Sequence, residues 1–235
     1  MLIDIITAFP KMVAEPLGLS MIKRAVERTD MVIEVHDLRH WTKDKHKTVD
    51  DAPYGGGAGM VFMIEPLYEA LVEITGRNAA KKREIILTSP RGKTFSQKTA
   101  IQYSLIEHLI IICGHYKGVD ERIKSFFPIS EVSIGDYVLS GGEFPALVIV
   151  DAVVRLIPGV LNDIDSAWSD SFADHLLDCD YYTRPEFFKG VGIPEVLRSG
   201  DHKKIADWRQ QQRELITERE RPDLFEKYKN ENKNK

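Results

Sequence analysis

Apolar residues in the first two thirds of the chain follow two alternating patterns. Short runs that are almost wholly apolar predict buried strands, at residues 2–9, 31–37, 84–88, 108–113 and 129–133. Apolar residues spaced three or four apart predict helices between them, at residues 16–28, 64–75, 96–104, 119–126 and 143–156. Ser96 is the expected N-cap of the third of these helices. Apolar strands that alternate with helices are typical of an α/β fold with a parallel sheet covered on both faces.

The pattern changes after residue 158. The following stretch is polar and lacks periodicity, so we interpret it as a linker and expect it to be mobile when no ligand is bound. Beyond it, a helix is predicted at residues 202–219, and the polar residues 230–235 predict a frayed end. The sequence therefore predicts three parts, an α/β domain at 1–158, a linker at 159–172 and a small helical domain at 173–235.

Composition limits the location and the partners of the protein. The formal net charge of the 235 residues is -4, which is not typical of a protein that binds nucleic acid without specificity. No apolar run is long enough for a membrane span, and the apolar N-terminus lacks the basic residues of a signal peptide. Cys113 and Cys179 form no disulfide framework. These features predict a cytoplasmic protein without a membrane anchor.

Two glycine-rich segments do not meet the requirements of nucleotide-binding motifs. SPRGKT at 89–94 lacks the glycine that a P-loop needs at the position of Leu87. GGGAG at 55–59 follows a loop, and Met60 and Phe62 stand where a dinucleotide fingerprint needs glycine. The first strand is also not followed by the glycine-rich turn of a Rossmann-type methyltransferase. An adenosyl cofactor, if the protein uses one, must therefore bind elsewhere.

Three other loops follow the later strands, where open α/β sheets usually bind ligands. They contain the sequences TSP at 88–90, GHYKGVDER at 114–122 and SIGDYVLSGGE at 133–143. Glycine lets the backbone approach a ligand closely, and Tyr116, Tyr137 and Leu139 can form aromatic and apolar walls. Any one of these glycines is explained as well by a tight turn. The indication of a ligand site comes from three such loops together.

These loops, with DDAPYGGGAGM at 50–60 and DSFADHLLDCDYYTRPE at 170–186, closely resemble motifs of the bacterial tRNA (guanine-N1)-methyltransferase family, known as TrmD. The resemblance extends in order over nearly the whole chain. It implies an α/β fold of the SPOUT class, with a parallel sheet, a deep trefoil knot and a small all-helical C-terminal domain that binds tRNA. It also implies a homodimer whose active sites take residues from both subunits.

The resemblance implies that the three loops form the knot and bind S-adenosylmethionine (SAM), the methyl donor, in a bent conformation. The implied substrate is tRNA, methylated at N1 of the guanosine at position 37, which lies just 3′ of the anticodon and follows another guanosine. The matching motifs imply SAM contacts at Thr88, Ser89, Pro90, Gly114, Tyr116, Ile134, Gly135, Asp136, Tyr137, Val138, Leu139, Gly141, Gly142 and Pro145.

Methylation of guanine N1 needs a base for the N1 proton, a donor for the charge on O6, and alignment of the methyl group. Asp170 matches the family's catalytic aspartate and is the candidate base, and Arg155 matches an arginine suited to stabilise O6. Asp178 matches a further functional position, and a helix would place it on one face with Asp170 and Asp174. Without the resemblance, Asp170 would be interpreted as a helix N-cap and Arg155 as a solvated helix end.

The residues themselves give weak signs of RNA binding. The segment RHWTKDKHK at 39–47 is basic and contains one aromatic residue, which suits phosphates or a stacked base, but a solvated loop is the simpler interpretation. Basic residues of the C-terminal helix, such as Lys203 and Arg209, are offset by neighbouring acidic residues. The expectation of a tRNA substrate therefore depends on the family resemblance.

Two positions depart from the family pattern. Lys117 stands where many members have a glutamate linked to metal-assisted chemistry, and Ser169 also replaces a common glutamate. The lysine reverses the local charge, so a requirement for Mg²⁺ stays open and no metal ligand is named. The seven histidines show no metal-binding spacing, and His36 and His40 are interpreted as non-ligands.

Two alternative functions stay open at this stage. The first is a SPOUT methyltransferase that acts on another nucleotide, against which the segment DSFADHLLDC at 170–179 argues, because other groups of the class lack it. The second is a non-catalytic RNA-binding protein that has kept only the fold. The presence of Asp170, Arg155 and the cofactor loops argues against this second alternative, and a SAM-binding assay distinguishes it from an enzyme.

Overall fold

The computed structural model describes residues 1–77, 82–160 and 170–233. Contacts between Cα atoms divide the chain into two compact units, Met1–Ile164 and Asp165–Lys235. Most of the predicted linker at 159–172, together with Ser169, lies outside the described residues, and so does the expectation that this linker is mobile.

A five-stranded parallel sheet forms the centre of the first unit. Its strands are β1 (Leu2–Thr7), β2 (Val32–Asp37), β5 (Arg83–Thr94), β6 (His108–Cys113) and β7 (Ile129–Ser133), and a separate antiparallel pair is formed by β3 (Asp50–Asp51) and β4 (Val61–Phe62). The order across the sheet is β2-β1-β6-β5-β7, and every neighbouring pair is parallel. The prediction of a parallel central sheet is confirmed.

Among the described residues, five α-helices cover the two faces of this sheet. They are α1 (Pro10–Leu17), α2 (Ser20–Arg28), α3 (Ile64–Arg77), α4 (Gln97–Ser104) and α5 (Glu143–Val154). The first, second, fourth and fifth pack on one face with Ile3 and Ile5 of β1, whereas α3 packs on the other face with Ile6. Side chains that alternate between two apolar layers explain why the strands are apolar throughout.

Two of the predicted helices differ from the structure. Residues 16–28 were expected to form one helix from Pro16, but α1 starts at Pro10 and contains Pro16 near its end, and the extended backbone of Leu19 separates it from α2. Residues 119–126 were expected to form an α-helix, but the structure has a 3-10 helix at Glu121–Ser125, begun by an Asp120 side chain that accepts from Arg122 N. The prediction that Ser96 caps α4 is confirmed, since its side chain accepts from Thr99 N.

β5 is longer than predicted and is interrupted on one side. Both Thr88 and Lys93 are opposite Val132 of β7, so the residues between them bulge out of the sheet. Gly92 brings the chain back against β7, because a Cβ there would overlap the backbone of Val132 and Glu131. The predicted TSP loop therefore begins this bulge instead of ending the strand.

The described part of the second unit contains a hairpin, a 3-10 helix at Glu195–Arg198 and two α-helices. The hairpin joins β8 (Phe187–Phe188) to β9 (Val191–Gly192), and the helices are α6 (His202–Glu220) and α7 (Pro222–Lys233). The expectation of an all-helical domain is wrong here, because Lys189 (φ 50°) and Gly190 (φ 86°) form a two-residue hairpin turn. Helix α7 begins at a proline, a favoured first helical residue, and extends into the predicted frayed end at 230–235 as far as residue 233. No described helix is long and apolar enough to cross a membrane.

Candidate functional site

A cleft lies where the bulge of β5 meets the glycine-containing loops at the carboxyl ends of β6 and β7. Its empty volume, including the open mouth, is about 850 Å³. Asp136, which was predicted as a SAM contact, is exposed and does not line it. The other thirteen predicted contacts all line it, namely Thr88, Ser89, Pro90, Gly114, Tyr116, Ile134, Gly135, Tyr137, Val138, Leu139, Gly141, Gly142 and Pro145.

Backbone contacts hold the last loop against the one before it. Gly142 N donates to Gly114 O over 2.7 Å, and His115 and Gly141 form an isolated antiparallel bridge. A Cβ on Gly142 would overlap Thr88 Oγ1 and would lie 2.8 Å from Cys113 Cα. Gly142 is therefore required by close packing between loops and not by a tight turn, which was the alternative interpretation of these glycines.

The walls of the cleft are apolar and open to solvent. Tyr116, Tyr137, Val138 and Leu139 are all exposed, although large apolar side chains are usually covered in a folded protein. Tyr116 has a positive φ of 55°, and the hydroxyl of Tyr137 donates to Ile134 O over 3.3 Å. Exposed apolar groups that surround a cleft indicate a ligand with a flat apolar part or a protein partner.

The charged side chains that line the cleft are basic. Arg91 and Lys117 line it, and no carboxylate does; all the lining residues lie within the described range 82–160. Arg91 is bound to Glu121 over 3.2 Å and to Glu131 over 3.1 Å, and these partners raise its pKa. Two carboxylates of the protein thus balance the charge of Arg91, whereas Lys117 forms no ion pair with any described residue.

Beneath the last loop lies a buried carboxylate that the sequence analysis did not single out. Glu143, the first residue of α5, is completely buried and accepts a hydrogen bond from Thr7 Oγ1 over 2.6 Å. Its Oε2 has no hydrogen-bond partner among the described residues. An acidic residue at a helix start is ordinarily solvated, so the sequence offered no signal for this burial.

The candidate catalytic residues belong to both units. Arg155 follows the last residue of α5 in the first unit and is partly buried. Asp170 and Asp178 belong to the second unit and are also partly buried. The helix expected from Asp170 does not form, because Phe172 (φ 76°) and His175 (φ 67°) turn the chain and Phe172 N donates to Leu176 O. The expectation that Asp170, Asp174 and Asp178 share a helical face is therefore wrong, as is the alternative of Asp170 as a helix N-cap.

Hydrogen bonds and an ion pair within the second unit hold Asp174 and Asp178. Asp174 forms a two-point ion pair with Arg213 over 2.7 and 3.0 Å. Asp178 accepts from Cys179 N and from the Tyr181 hydroxyl, while its own N–H donates to Ser171 Oγ. Burial and the charge of Asp178 raise the pKa of Tyr181 to about 12, so this hydroxyl keeps its proton as a donor. Asp178 is thus fixed in orientation by its neighbours.

Exposed aromatic residues of the second unit are paired with basic side chains. Arg209 lies over the ring of Tyr181, Arg198 over Phe187, and Lys189 over the neighbouring Phe188, at 5.4–5.8 Å from the ring centroids. Such pairs present flat rings and positive charge together, which suits unpaired bases and phosphates. The sequence analysis did not identify these pairs, because their residues are spread along the chain from 181 to 209.

The basic segment 39–47 is less suited to RNA than its composition suggested. The indole of Trp41 donates to Glu73 over 2.7 Å, and its ring packs against His36 and His40. Lys43 pairs with Glu69 over 3.8 Å. The aromatic residue of this segment is therefore engaged in the fold.

One group of metal-binding residue types occurs among the described residues, outside the cleft. Asp4, Glu34 and His36 lie close enough together to share an ion. However, Asp4 already accepts hydrogen bonds from His36 Nε2 over 2.6 Å and from His108 Nε2 over 2.5 Å, and Glu34 pairs with Arg77 over 3.6 Å. These groups satisfy one another without a metal.

Comparison with known proteins identifies relatives over almost the whole chain. The model of the family described as tRNA (Guanine-1)-methyltransferase TrmD matches residues 1–227. Curated relatives with the name tRNA (guanine-N(1)-)-methyltransferase include one from Dictyoglomus turgidum, 49% identical over 225 residues, which are 96% of this chain and 90% of the relative. One from Dehalococcoides mccartyi is 47% identical over 227 residues (97% and 91%), and one from Listeria innocua is 45% identical over 228 residues (97% and 93%).

Proposed function

Because the chain belongs to the TrmD family of tRNA (guanine-1)-methyltransferases, we propose that the cleft between the bulge of β5 and the loops after β6 and β7 is its SAM site. The protein methylates N1 of guanine in tRNA, and SAM is its methyl donor. The observation that carries the proposed site is that thirteen of the fourteen family-implied contacts, distant in sequence, line this one cleft.

The chemistry of the cleft fits this donor. Tyr137, Val138, Leu139 and Pro145 offer apolar surface to an adenine ring, and the glycines let backbone groups approach its edge and the ribose. When bound, SAM supplies a methyl group on a sulfonium centre. The contribution of the protein at this point is to hold that methyl group in line with N1, because correct positioning alone removes much of the barrier.

Asp170 is proposed as the general base that accepts the N1 proton, and Arg155 as the donor that stabilises the charge on O6. Asp178, held by Tyr181 and by the backbone of Cys179, is proposed to bind the guanine base.

The proposal extends to the substrate and the second unit. The target is guanosine 37 of tRNA, preceded by another guanosine, and the C-terminal domain at 173–235, joined by the linker at 159–172 to the SAM-binding domain at 1–158, binds the tRNA. The pairs of aromatic and basic side chains at Tyr181, Phe187 and Phe188 support this role. A cytoplasmic location, where tRNA is processed in bacteria, belongs to the same proposal.

A trefoil knot and a homodimer complete the proposed architecture. The knot is supported by the position of β5 between β6 and β7 and by the hydrogen bond between Gly142 and Gly114. The dimer is supported by Phe144 and Val148, which are exposed at adjacent turns of α5 although the rest of that helix is largely buried. Mg²⁺ stays an open requirement, since the cleft is lined by no carboxylate.

Methyl transfer from labelled SAM to two tRNA transcripts tests the proposal. The transcripts differ only in guanosine or adenosine at position 37. We expect 1-methylguanosine in the guanosine transcript alone, and a large loss of product for Asp170→Ala while SAM binding, measured by calorimetry, is retained. Equal labelling of both transcripts would assign another target nucleotide, and an active Asp170→Ala variant would exclude Asp170 as the base.

A further inference from the structure

Lys117 is the basic residue of the cleft whose charge has no partner among the residues that the structure describes. The other one, Arg91, binds both Glu121 and Glu131. Lys117 forms no ion pair within the described ranges 1–77, 82–160 and 170–233, and no carboxylate lines the cleft beside it. An unpaired cation next to a ligand cleft favours a ligand that carries a negative group.

The fold holds the backbone of Lys117, and the aliphatic stem of this side chain packs on a glycine. Its backbone N–H donates to Met60 O over 3.0 Å, and it stands between two residues of positive φ, Tyr116 and Gly118. Its stem packs on Gly59, where a Cβ would lie only 3.1 Å from both Cγ and Cε of the lysine. The glycine-rich segment 55–59 thus leaves room for the aliphatic part, and the exposed Lys117 residue is one of those that line the cleft.

The residues that line the cleft also differ in polarity from one segment to the next. The loop after β7 contributes Tyr137, Val138 and Leu139, which suit the adenosine part of the donor. The bulge of β5 and the loop after β6 contribute Ser89, Arg91 and Lys117, which suit a polar part. The polar part of SAM is its methionine moiety, and the carboxylate is the one anionic group of that molecule.

Resting on the proposed SAM site, we propose that Lys117 is a specificity-determining residue that pairs with the carboxylate of the donor. It thereby favours donors that retain this carboxylate over those that lack it. Because Lys117 is exposed, the pair is partly screened by water, and the expected selectivity from it is roughly three- to tenfold in Kd.

Calorimetric binding of SAM and of decarboxylated SAM, which lacks only the carboxylate, tests this inference. We expect Lys117→Met to weaken SAM binding roughly three- to tenfold and to leave the binding of decarboxylated SAM unchanged, which also shows that the cleft is intact. Lys117→Arg keeps the charge and should keep the selectivity. Lys23→Met, which removes an exposed lysine from α2, is the matched control for net charge and should also keep it.

Two results would overturn the inference without touching the proposed function. An equal loss for both donors would make Lys117 a support for the shape of the cleft. Unchanged binding of both donors with a raised KM for tRNA would assign the ammonium group to an RNA phosphate. Failure of the wild-type protein to bind SAM at all would instead contradict the proposed SAM site.

Discussion

At the scale of single residues, a buried cluster of titratable side chains in the first unit centres on Asp4. Its side chain lies in the sheet between His36 and His108, and His108 is completely buried. Burial alone would raise the pKa of Asp4, but hydrogen bonds from His108 and His36 outweigh burial and lower it. The cluster thus stabilises the ionised carboxylate where three strands meet.

Replacement of Asp4 by asparagine should reveal this contribution through its pH dependence. Asparagine keeps the shape but presents an N–H₂ donor to one histidine, so we expect a loss of about 2 kcal/mol in the free energy of unfolding at pH 7. Because folding lowers the pKa of Asp4, its contribution is complete above the usual value of 3.8 and is lost as the pH falls through the lowered value.

Urea unfolding of wild type and Asp4→Asn at pH 7, 5 and 3.5 measures this difference. The difference should be smaller at pH 3.5 than at pH 5, because the contribution of Asp4 is being lost below its usual pKa of 3.8. Asp30→Asn, at an exposed carboxylate, is the control and should change little at any pH. A gap between wild type and Asp4→Asn that widens as the pH falls would contradict the assigned direction.

At the scale of elements, the site is built by loops that pack on one another more tightly than ordinary turns. The last loop is bound to the preceding one through Gly142 and Gly114, and Glu143 fastens the start of α5 to Thr7 at the end of β1. Strands β1, β5 and β6 therefore pack against the start of α5 through a few small residues. A change in that packing should alter ligand binding and stability together.

Gly142→Ala tests this packing. The new Cβ would overlap Thr88 Oγ1 and press on Cys113, so the loop has to move. We expect a loss of about 1–3 kcal/mol in the free energy of unfolding and at least roughly tenfold weaker SAM binding. Gly76→Ala in α3 is the control, because nothing lies within 4 Å of its Cβ position and alanine stabilises a helix by about 0.5–1 kcal/mol. Unchanged SAM binding by Gly142→Ala would contradict the account of the loop.

The same elements show where sequence reasoning succeeds and where it fails. Strands with apolar side chains on both faces predicted the parallel sheet, because such strands are typical of a sheet covered by helices on both sides. The start of α1 was predicted wrongly because proline usually occupies the first turn of a helix, whereas Pro16 lies near the end of α1. The turn at Phe172 and His175 could not be foreseen, because positive φ at such residues is imposed by tertiary contacts. Burial of Glu143 likewise depends on Thr7, which is 136 positions away.

At the scale of the whole molecule, two of the candidate catalytic residues, Arg155 and Asp170, lie in different compact units. Arg155 ends the last helix of the first unit, and Asp170 belongs to the second. In a homodimer with shared sites, the arginine of one subunit can act with the aspartate of its partner. This arrangement predicts that two inactive proteins complement each other when they form one dimer.

Co-expression of Arg155→Ala and Asp170→Ala chains with different tags allows the mixed dimer to be isolated. If each site combines Arg155 of one subunit with Asp170 of the other, one site has both residues and the other has neither, so about half of the wild-type activity should return. A dimer of wild type with the Arg155→Ala/Asp170→Ala double variant is the matched control. Shared sites leave each of its sites one residue short and nearly inactive, whereas sites contained within one subunit would keep about half of the activity. The two mixed dimers thus give opposite results under the two arrangements, and activity in the control dimer alone would reject sharing between Arg155 and Asp170.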